Sequence, residues 1–159
     1  MLAIVAIACS TMALAGCSQE TAQDGDTVKV DYTGTLDDGT VFDSTLNASF
    51  NHVEPLEFTI GGGSLISEFE NGVIGMSVSE TRSIHIPAKE AYGQKYYEVD
   101  LDDLPEDLQI GETLYKGTLE ATVINISESS ATLENLHELA GFDLNFEITL
   151  VELIKADEE

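Results

Sequence analysis

The sequence has little positive charge, few cysteines and no tryptophan. Only 6 of its 159 residues are Lys or Arg, against 30 Asp and Glu, so the formal net charge is −24. Such a chain would repel phosphates, and we therefore expect no nucleic-acid partner. The acidity fits either ordinary solubility or life in high salt, where screening weakens self-repulsion. With 43 % hydrophobic residues, the chain can still form a core.

The side chains that most enzyme mechanisms need are scattered. The histidines, His52, His85 and His137, are far apart and lack the spacing of metal ligands. The glycines at 61–63 are not followed by the Gly, Lys and Ser or Thr of a phosphate-binding loop. Ser64 does not lie in a nucleophile elbow. We therefore expect a site without metal, cofactor or nucleophile.

Residues 1–16 carry no charge and precede Cys17. A run of this length is typical of a signal peptide, because a membrane-spanning helix needs about 20 residues. Leu14-Ala15-Gly16-Cys17 resembles the lipobox of prokaryotic lipoproteins, although no Lys or Arg precedes the apolar run. A buried N-terminal strand is the alternative, and the abrupt change to SQETAQDGD disfavours it. We expect a lipoprotein signal at 1–16, lipidation at Cys17 and attachment to the extracytoplasmic face of the cell membrane.

Residues 17–25 are polar and small, which predicts a tether, and the folded part is predicted to begin near Asp26. Alternating apolar residues then predict strands. These strands lie at 27–36, 41–44, 56–60, 80–87, 112–117, 119–126, 130–133 and 142–154.

The stretch 56–76 runs from a strand through three glycines into a short helix. Its apolar residues Leu65, Ile66, Phe69 and Val73 recur at helical spacing. A helix of about two turns is not stable alone, so this apolar stripe must pack against a larger surface. It is predicted to plug a core or to form the floor of an apolar pocket.

The composition changes at Gln94, and residues 94–134 combine an acidic run with three predicted strands. We interpret them as a small β-rich module inserted before the last strand. The fold class is therefore α+β, with a curved antiparallel sheet around a short helix.

Several long stretches of this sequence resemble the FKBP-type peptidyl-prolyl isomerases. They are YTGTLDDGTVFDST, FTIGGGSLISEFENGVIGM, IPAKEAYG and FEITLVEL. The module followed by HELAG is similar to the SlyD-like subgroup, whose insert-in-flap domain interrupts the chain before the last strand. The resemblance implies an isomerase domain at 26–93 and 135–156 and an inserted chaperone-like domain at 94–134.

The resemblance implies an enzyme that accelerates rotation about X-Pro bonds and binds unfolded or proline-containing polypeptides. The inserted domain would bind unfolded chains, and we expect a monomer. A non-catalytic holdase or binding module on the same fold is the alternative.

By resemblance, the isomerase site falls on Tyr32, Phe42, Asp43, Leu65, Ile66, Phe69, Tyr92 and Phe146. Phe69 would be the floor, and the Tyr92 hydroxyl would meet a substrate carbonyl. Asp43 would either contact the rotating carbonyl or hold Tyr32 in place.

In the inserted domain, the expected substrate-binding residues are Leu114, Tyr115, Leu119, Val123 and Ile124, unless these form the module's own core. The chain departs from the family pattern at Leu56, where an aromatic is common, and at Ser67-Glu68, where Pro-Gly is common. It also has Leu136 where the SlyD-like pattern has an Asn before the histidine.

Overall fold

A computed structural model describes residues 20–50 and 53–156, so the predictions at 1–16 and at Cys17 lie outside the described residues. The elements are β1 Thr27–Leu36, β2 Val41–Ser44, β3 Leu56–Thr59, α1 Ser67–Val73, β4 Thr81–Ile86, β5 Tyr96–Asp100, β6 Thr113–Lys116, β7 Leu119–Ile126, β8 Ser130–Asn135 and β9 Leu144–Ile154. Within these ranges, no helix is long and apolar enough to cross a membrane.

The large sheet has the strand order β2-β1-β9-β4, and β3 also pairs with β1. All its pairings are antiparallel. The central pair, β1 with β9, runs from Thr27 opposite Ile154 to Leu36 opposite Leu144. The predicted α+β class, with an antiparallel sheet and a short helix, is confirmed.

The large sheet buries one face against α1. Alternate residues of β1 point into this core, including Val28 and Val30, which are fully buried. They belong to the same core as Phe69 and Val73 of α1, which are buried as the helical spacing predicts. Each such side chain contributes about 1.5–3 kcal/mol by leaving water. Because α1 has only seven residues and no side-chain cap, this packing must supply most of its stability.

A buried carboxylate connects α1 to the glycine-rich loop before it. Glu70 is 3 % exposed, and its oxygens accept hydrogen bonds from the N–H groups of Gly63 at 3.2 Å and Leu65 at 3.0 Å. Burial alone would raise the pKa of Glu70, but the backbone N–H donors outweigh it and hold the pKa below its usual value. The loop is therefore fixed by an ionised side chain of the helix.

Within the predicted tether at 17–25, the residues Thr21 and Ala22 pack on the domain. Ala22 is fully buried, its N–H donates to Met76 O at 2.8 Å, and its carbonyl accepts from Gly75 N–H at 2.7 Å. Thr21 forms an isolated antiparallel bridge with Ser77. In the sequence, Ala22 lies between polar residues, as an alanine in a linker does. In the structure, its small side chain lets the backbone come close to the core.

The segment is completed by Asp26, which is buried beside the end of β9. Its carboxylate accepts from Lys155 Nζ at 2.7 Å and from Ala156 N–H at 2.9 Å. Burial would raise the pKa of Asp26, but these bonds and one from Gln23 N–H lower it overall. The start and the end of the described chain are thus joined by a charged contact.

The small sheet has the order β5-β8-β7-β6 and a core of its own. Ala121, Val123, Ala131 and Leu133 are buried there. Strand β5 was not predicted, because Glu98 and Asp100 make this stretch resemble the start of the acidic run. In the structure those carboxylates alternate with Tyr97 and Val99, which pack on the small core.

We predict that Glu70→Gln lowers the free energy of unfolding by about 1–3 kcal/mol at neutral pH, because it removes the charge that the loop N–H groups solvate. Urea denaturation measures the effect, and Glu68→Gln on the same helix is the matched control. The pKa of Glu70 lies below its usual 4.5 in the folded chain. Its contribution is therefore present above that pH and is lost as the pH falls through the lowered value.

The difference between the parent and Glu70→Gln should accordingly shrink on acidification below about pH 4.5. Equal stability of the two chains at pH 7 would show that the carboxylate does not hold the loop.

Candidate active site

A cavity of about 690 Å³ lies between α1, the large sheet and the connection to the small sheet. All eight predicted isomerase-site residues line it: Tyr32, Phe42, Asp43, Leu65, Ile66, Phe69, Tyr92 and Phe146. The structure also places Leu56, Ser64, Lys89, Tyr97, Thr118, Leu119, Asn135 and His137 along it. The cavity is therefore bounded by side chains from both sheets.

Aromatic rings form the inner surface of this cavity. Phe69 packs edge to face on Phe146, with ring centroids 5.0 Å apart at 81°, and on Tyr32, 5.6 Å apart at 81°. Phe42 meets Phe146 at 5.5 Å and 88°. Perpendicular packing is a favoured geometry for aromatic pairs, and each ring limits the movement of its neighbours. The result is a firm apolar surface.

Gly34 of β1 makes room for two of these rings. A Cβ at this position would lie 2.6 Å from Cζ of Phe42 and 3.0 Å from Cε1 of Phe146. Both rings therefore rest directly on the backbone of β1. A larger residue would displace the cavity wall.

Asp43 places a carboxylate in this aromatic cavity, and the carboxylate is hydrogen-bonded. Tyr32 OH donates to Oδ2 at 2.5 Å, and Ser44 N–H donates to Oδ1 at 2.9 Å. Burial and this bond to Asp43 raise the pKa of the Tyr32 hydroxyl, so it remains a donor at neutral pH. Of the two roles predicted for Asp43, holding Tyr32 has this direct geometric support.

Leu65 and Ile66 are half-buried and stand just before α1. Ile66 has extended backbone angles, φ −60° and ψ 127°, and its carbonyl accepts the first helical bonds, from Phe69 and Glu70 N–H. The pair forms the rim of the cavity, above the Phe69 floor.

Tyr92 lies after the 3-10 turn Ala88–Glu90, and its ring stacks on His137 with centroids 3.7 Å apart at 11°. Burial and the charge of Asp43 raise the pKa of the Tyr92 hydroxyl. From the sequence, His137 was rejected as a metal ligand and was not proposed as a site residue, so this contact was not predicted. Its position just after the segment 94–134 was the available signal.

Asn135, the last residue of β8, was also missed. It is 2 % exposed, donates to Tyr92 O at 2.8 Å and accepts from His137 N–H at 3.0 Å. Leu136, where the SlyD-like pattern has Asn, is exposed. The buried amide at this connection thus comes from the residue one position earlier.

The five substrate-binding residues predicted in the inserted module do not share one surface. Leu119 lines the cavity, Tyr115 is 73 % exposed, and Ile124 is also exposed. Leu114 is half-buried and packs against the small core. Val123 is fully buried, so its assignment to the binding surface is wrong. Val123 is one of the inward-facing residues of β7. Its apolar side chain is therefore part of the small core.

Among the described residues, no three His, Cys, Asp or Glu side chains come together in a way that could hold a metal ion.

Comparison with known proteins identifies relatives of this chain. The model of the FKBP-type peptidyl-prolyl cis-trans isomerases matches residues 18–151. The short-type peptidyl-prolyl cis-trans isomerase of Methanocaldococcus jannaschii is 32% identical over 152 residues, which cover 85% of this chain and 96% of that protein.

Peptidyl-prolyl cis-trans isomerase FKBP15-1 of Arabidopsis thaliana is 37% identical over 118 residues, covering 74% of this chain and 69% of that protein. FK506-binding protein 2 of Yarrowia lipolytica is 44% identical over 79 residues, about half of each chain. The chain belongs to the family of FKBP-type peptidyl-prolyl cis-trans isomerases, enzymes that act on proline-containing polypeptides.

Proposed function

We propose that the aromatic cavity binds the proline of an X-Pro bond and accelerates its cis–trans rotation in folding proteins. The observation that carries this proposal is the edge-to-face packing of Phe146 and Tyr32 on Phe69, with ring centroids 5.0 Å and 5.6 Å from it. These rings offer a firm apolar surface to a compact apolar ring.

The reaction needs no nucleophile. Rotation about a peptide bond meets a barrier of about 18–20 kcal/mol, because it destroys amide resonance. In the twisted transition state the nitrogen becomes pyramidal and the amide loses much of its dipole. A cavity walled by aromatic rings solvates the planar, more polar ground state poorly, so it favours the twisted form.

Polar groups at the edge of the cavity would orient the substrate. The Tyr92 hydroxyl, kept protonated by its raised pKa, would donate to a flanking carbonyl. The backbone N–H of Ile66, at the rim, would hold a second carbonyl. Asp43 would fix Tyr32 through their 2.5 Å hydrogen bond and so keep one wall in place.

We further propose that residues 94–134 form an insert-in-flap domain that binds unfolded chains, as in the SlyD-like subgroup. A separate small core and exposed apolar side chains, including Ile110 and Tyr115, support this role. Thr118 and Leu119 of the same segment line the cavity, so a chain bound there would reach the isomerase site. A holdase with little turnover is the alternative, and Leu56, where an aromatic is common, is the feature that favours it.

A lipid anchor at Cys17 would place the monomeric enzyme close to the outer face of the cell membrane. Thr21 already packs on the domain, through its bridge to Ser77. Only four residue steps separate it from Cys17, a reach of at most about 14 Å. The anchored enzyme would therefore work beside the membrane.

We predict that the chain accelerates a proline-limited refolding reaction and that Tyr92→Phe lowers this acceleration about five- to tenfold, because one transition-state hydrogen bond is lost. Refolding followed by fluorescence of the client measures it. Tyr96→Phe, the same change at an exposed tyrosine of β5, should keep the parental rate. If the parent does not accelerate refolding, the alternative function as a holdase is favoured.

The double variant Tyr115→Ser/Ile124→Ser is expected to weaken refolding of a whole protein severalfold while isomerisation of a short prolyl peptide stays parental, because only long clients reach the small sheet. Val151→Ser/Ile154→Ser, at exposed positions of β9, is the matched control. Equal losses on both substrates would argue against a separate client-binding surface.

Cys17→Ser should release the protein from membranes into the soluble fraction, because it removes the atom that carries the lipid. Fractionation of cells expressing the full chain measures this, with Cys9→Ser as the control that stays bound. Membrane retention of Cys17→Ser would contradict lipid anchoring at that residue.

A further inference from the structure

We propose that His137 is a positioning residue of the isomerase site, which holds the Tyr92 ring in its working orientation. This inference rests on the proposed function of the cavity. His137 follows the small sheet in sequence and lines the same cavity as Tyr92.

The two rings are stacked nearly in parallel, with centroids 3.7 Å apart at 11°. Tyr92 is 37 % exposed, so its own burial does not immobilise it. A parallel ring at van der Waals distance closes one side of the space through which the Tyr92 ring would otherwise swing. The direction of its hydroxyl is thereby restricted.

His137 is itself held in place. Leu139 N–H donates to its Nδ1 at 3.1 Å, so Nδ1 carries no proton and the neutral ring is the Nε2–H tautomer. The backbone N–H of His137 donates to Asn135 Oδ1 at 3.0 Å. The bond to Nδ1 restrains the ring plane, and the backbone bond restrains the main chain that carries the ring; neither involves Tyr92.

Asn135 also fixes the backbone on the other side of the stack. Its Nδ2 donates to Tyr92 O at 2.8 Å, so one buried amide is bonded to both stacked residues. Gly141 N–H donates to Gly93 O at 2.8 Å and binds the same two chain segments together once more. The segment that leaves the isomerase domain and the segment that returns to it are thus locked in register at the stack.

Such an arrangement reduces the freedom that Tyr92 would lose on binding substrate. Fixing one side chain before the substrate binds raises kcat/KM about fivefold. Loss of the His137 ring should therefore lower kcat/KM by that factor, and the loss should depend on the Tyr92 hydroxyl.

The test measures kcat/KM on a prolyl peptide for the full chain and its variants. His137→Ala should lose about fivefold, and His137→Phe, which keeps a stacking ring, should recover most of the loss. In a Tyr92→Phe background, His137→Ala should cost little more. His85→Ala, on the exposed side of β4, is the control and should retain parental activity.

The Tyr92 ring protons give a second readout that does not need activity. Their NMR signals should be shifted upfield by the stacked ring in the parent and in His137→Phe, and should move downfield in His137→Ala. Parental kcat/KM in His137→Ala, or losses that multiply independently with Tyr92→Phe, would overturn the proposal. A parent that is inactive but shows the stack would contradict the proposed function instead.

Discussion

The buried carboxylate of Glu70 is the constraint on which the site depends. α1 is too short to be stable in isolation, and Glu70 bonds it to the loop N–H groups of Gly63 and Leu65. Phe69, the neighbouring residue, is thereby held against Tyr32 and Phe146. The same contact places Leu65 at the rim, so one ionised side chain sets both the floor and the edge of the cavity.

The pairing of β1 with β9 supplies the opposite wall. Its register puts Gly34 beside Phe146 and Tyr32 beside Ile148, although the two strands come from opposite ends of the folded chain. The segments that flank the small sheet meet between these strands, as the Gly141–Gly93 hydrogen bond shows.

Much of this architecture could be read from the sequence, because alternation of apolar and polar residues reports which face of a strand is buried. β1, β2 and β7 follow their predicted limits. The cavity residues followed from long stretches that resemble a known family, rather than from chemistry visible in any one residue.

What the sequence did not reveal depends on contacts between distant segments. The burial of Ala22 arises from bonds to residues near 76, and nothing local distinguishes it from a linker alanine. The roles of Asn135 and His137 require the segments on either side of the small sheet to lie side by side. Val123 faces inward only because of how β7 pairs with its neighbours.

The cavity is proposed to lower the barrier to rotation about an X-Pro bond. Exchange spectroscopy on a short prolyl peptide, with substoichiometric protein, measures the cis–trans rate directly. We predict a rate that rises in proportion to protein concentration, with the peptide perturbing the ring signals of Phe69 and Phe146. An exchange rate that stays at the uncatalysed value at every protein concentration would contradict it.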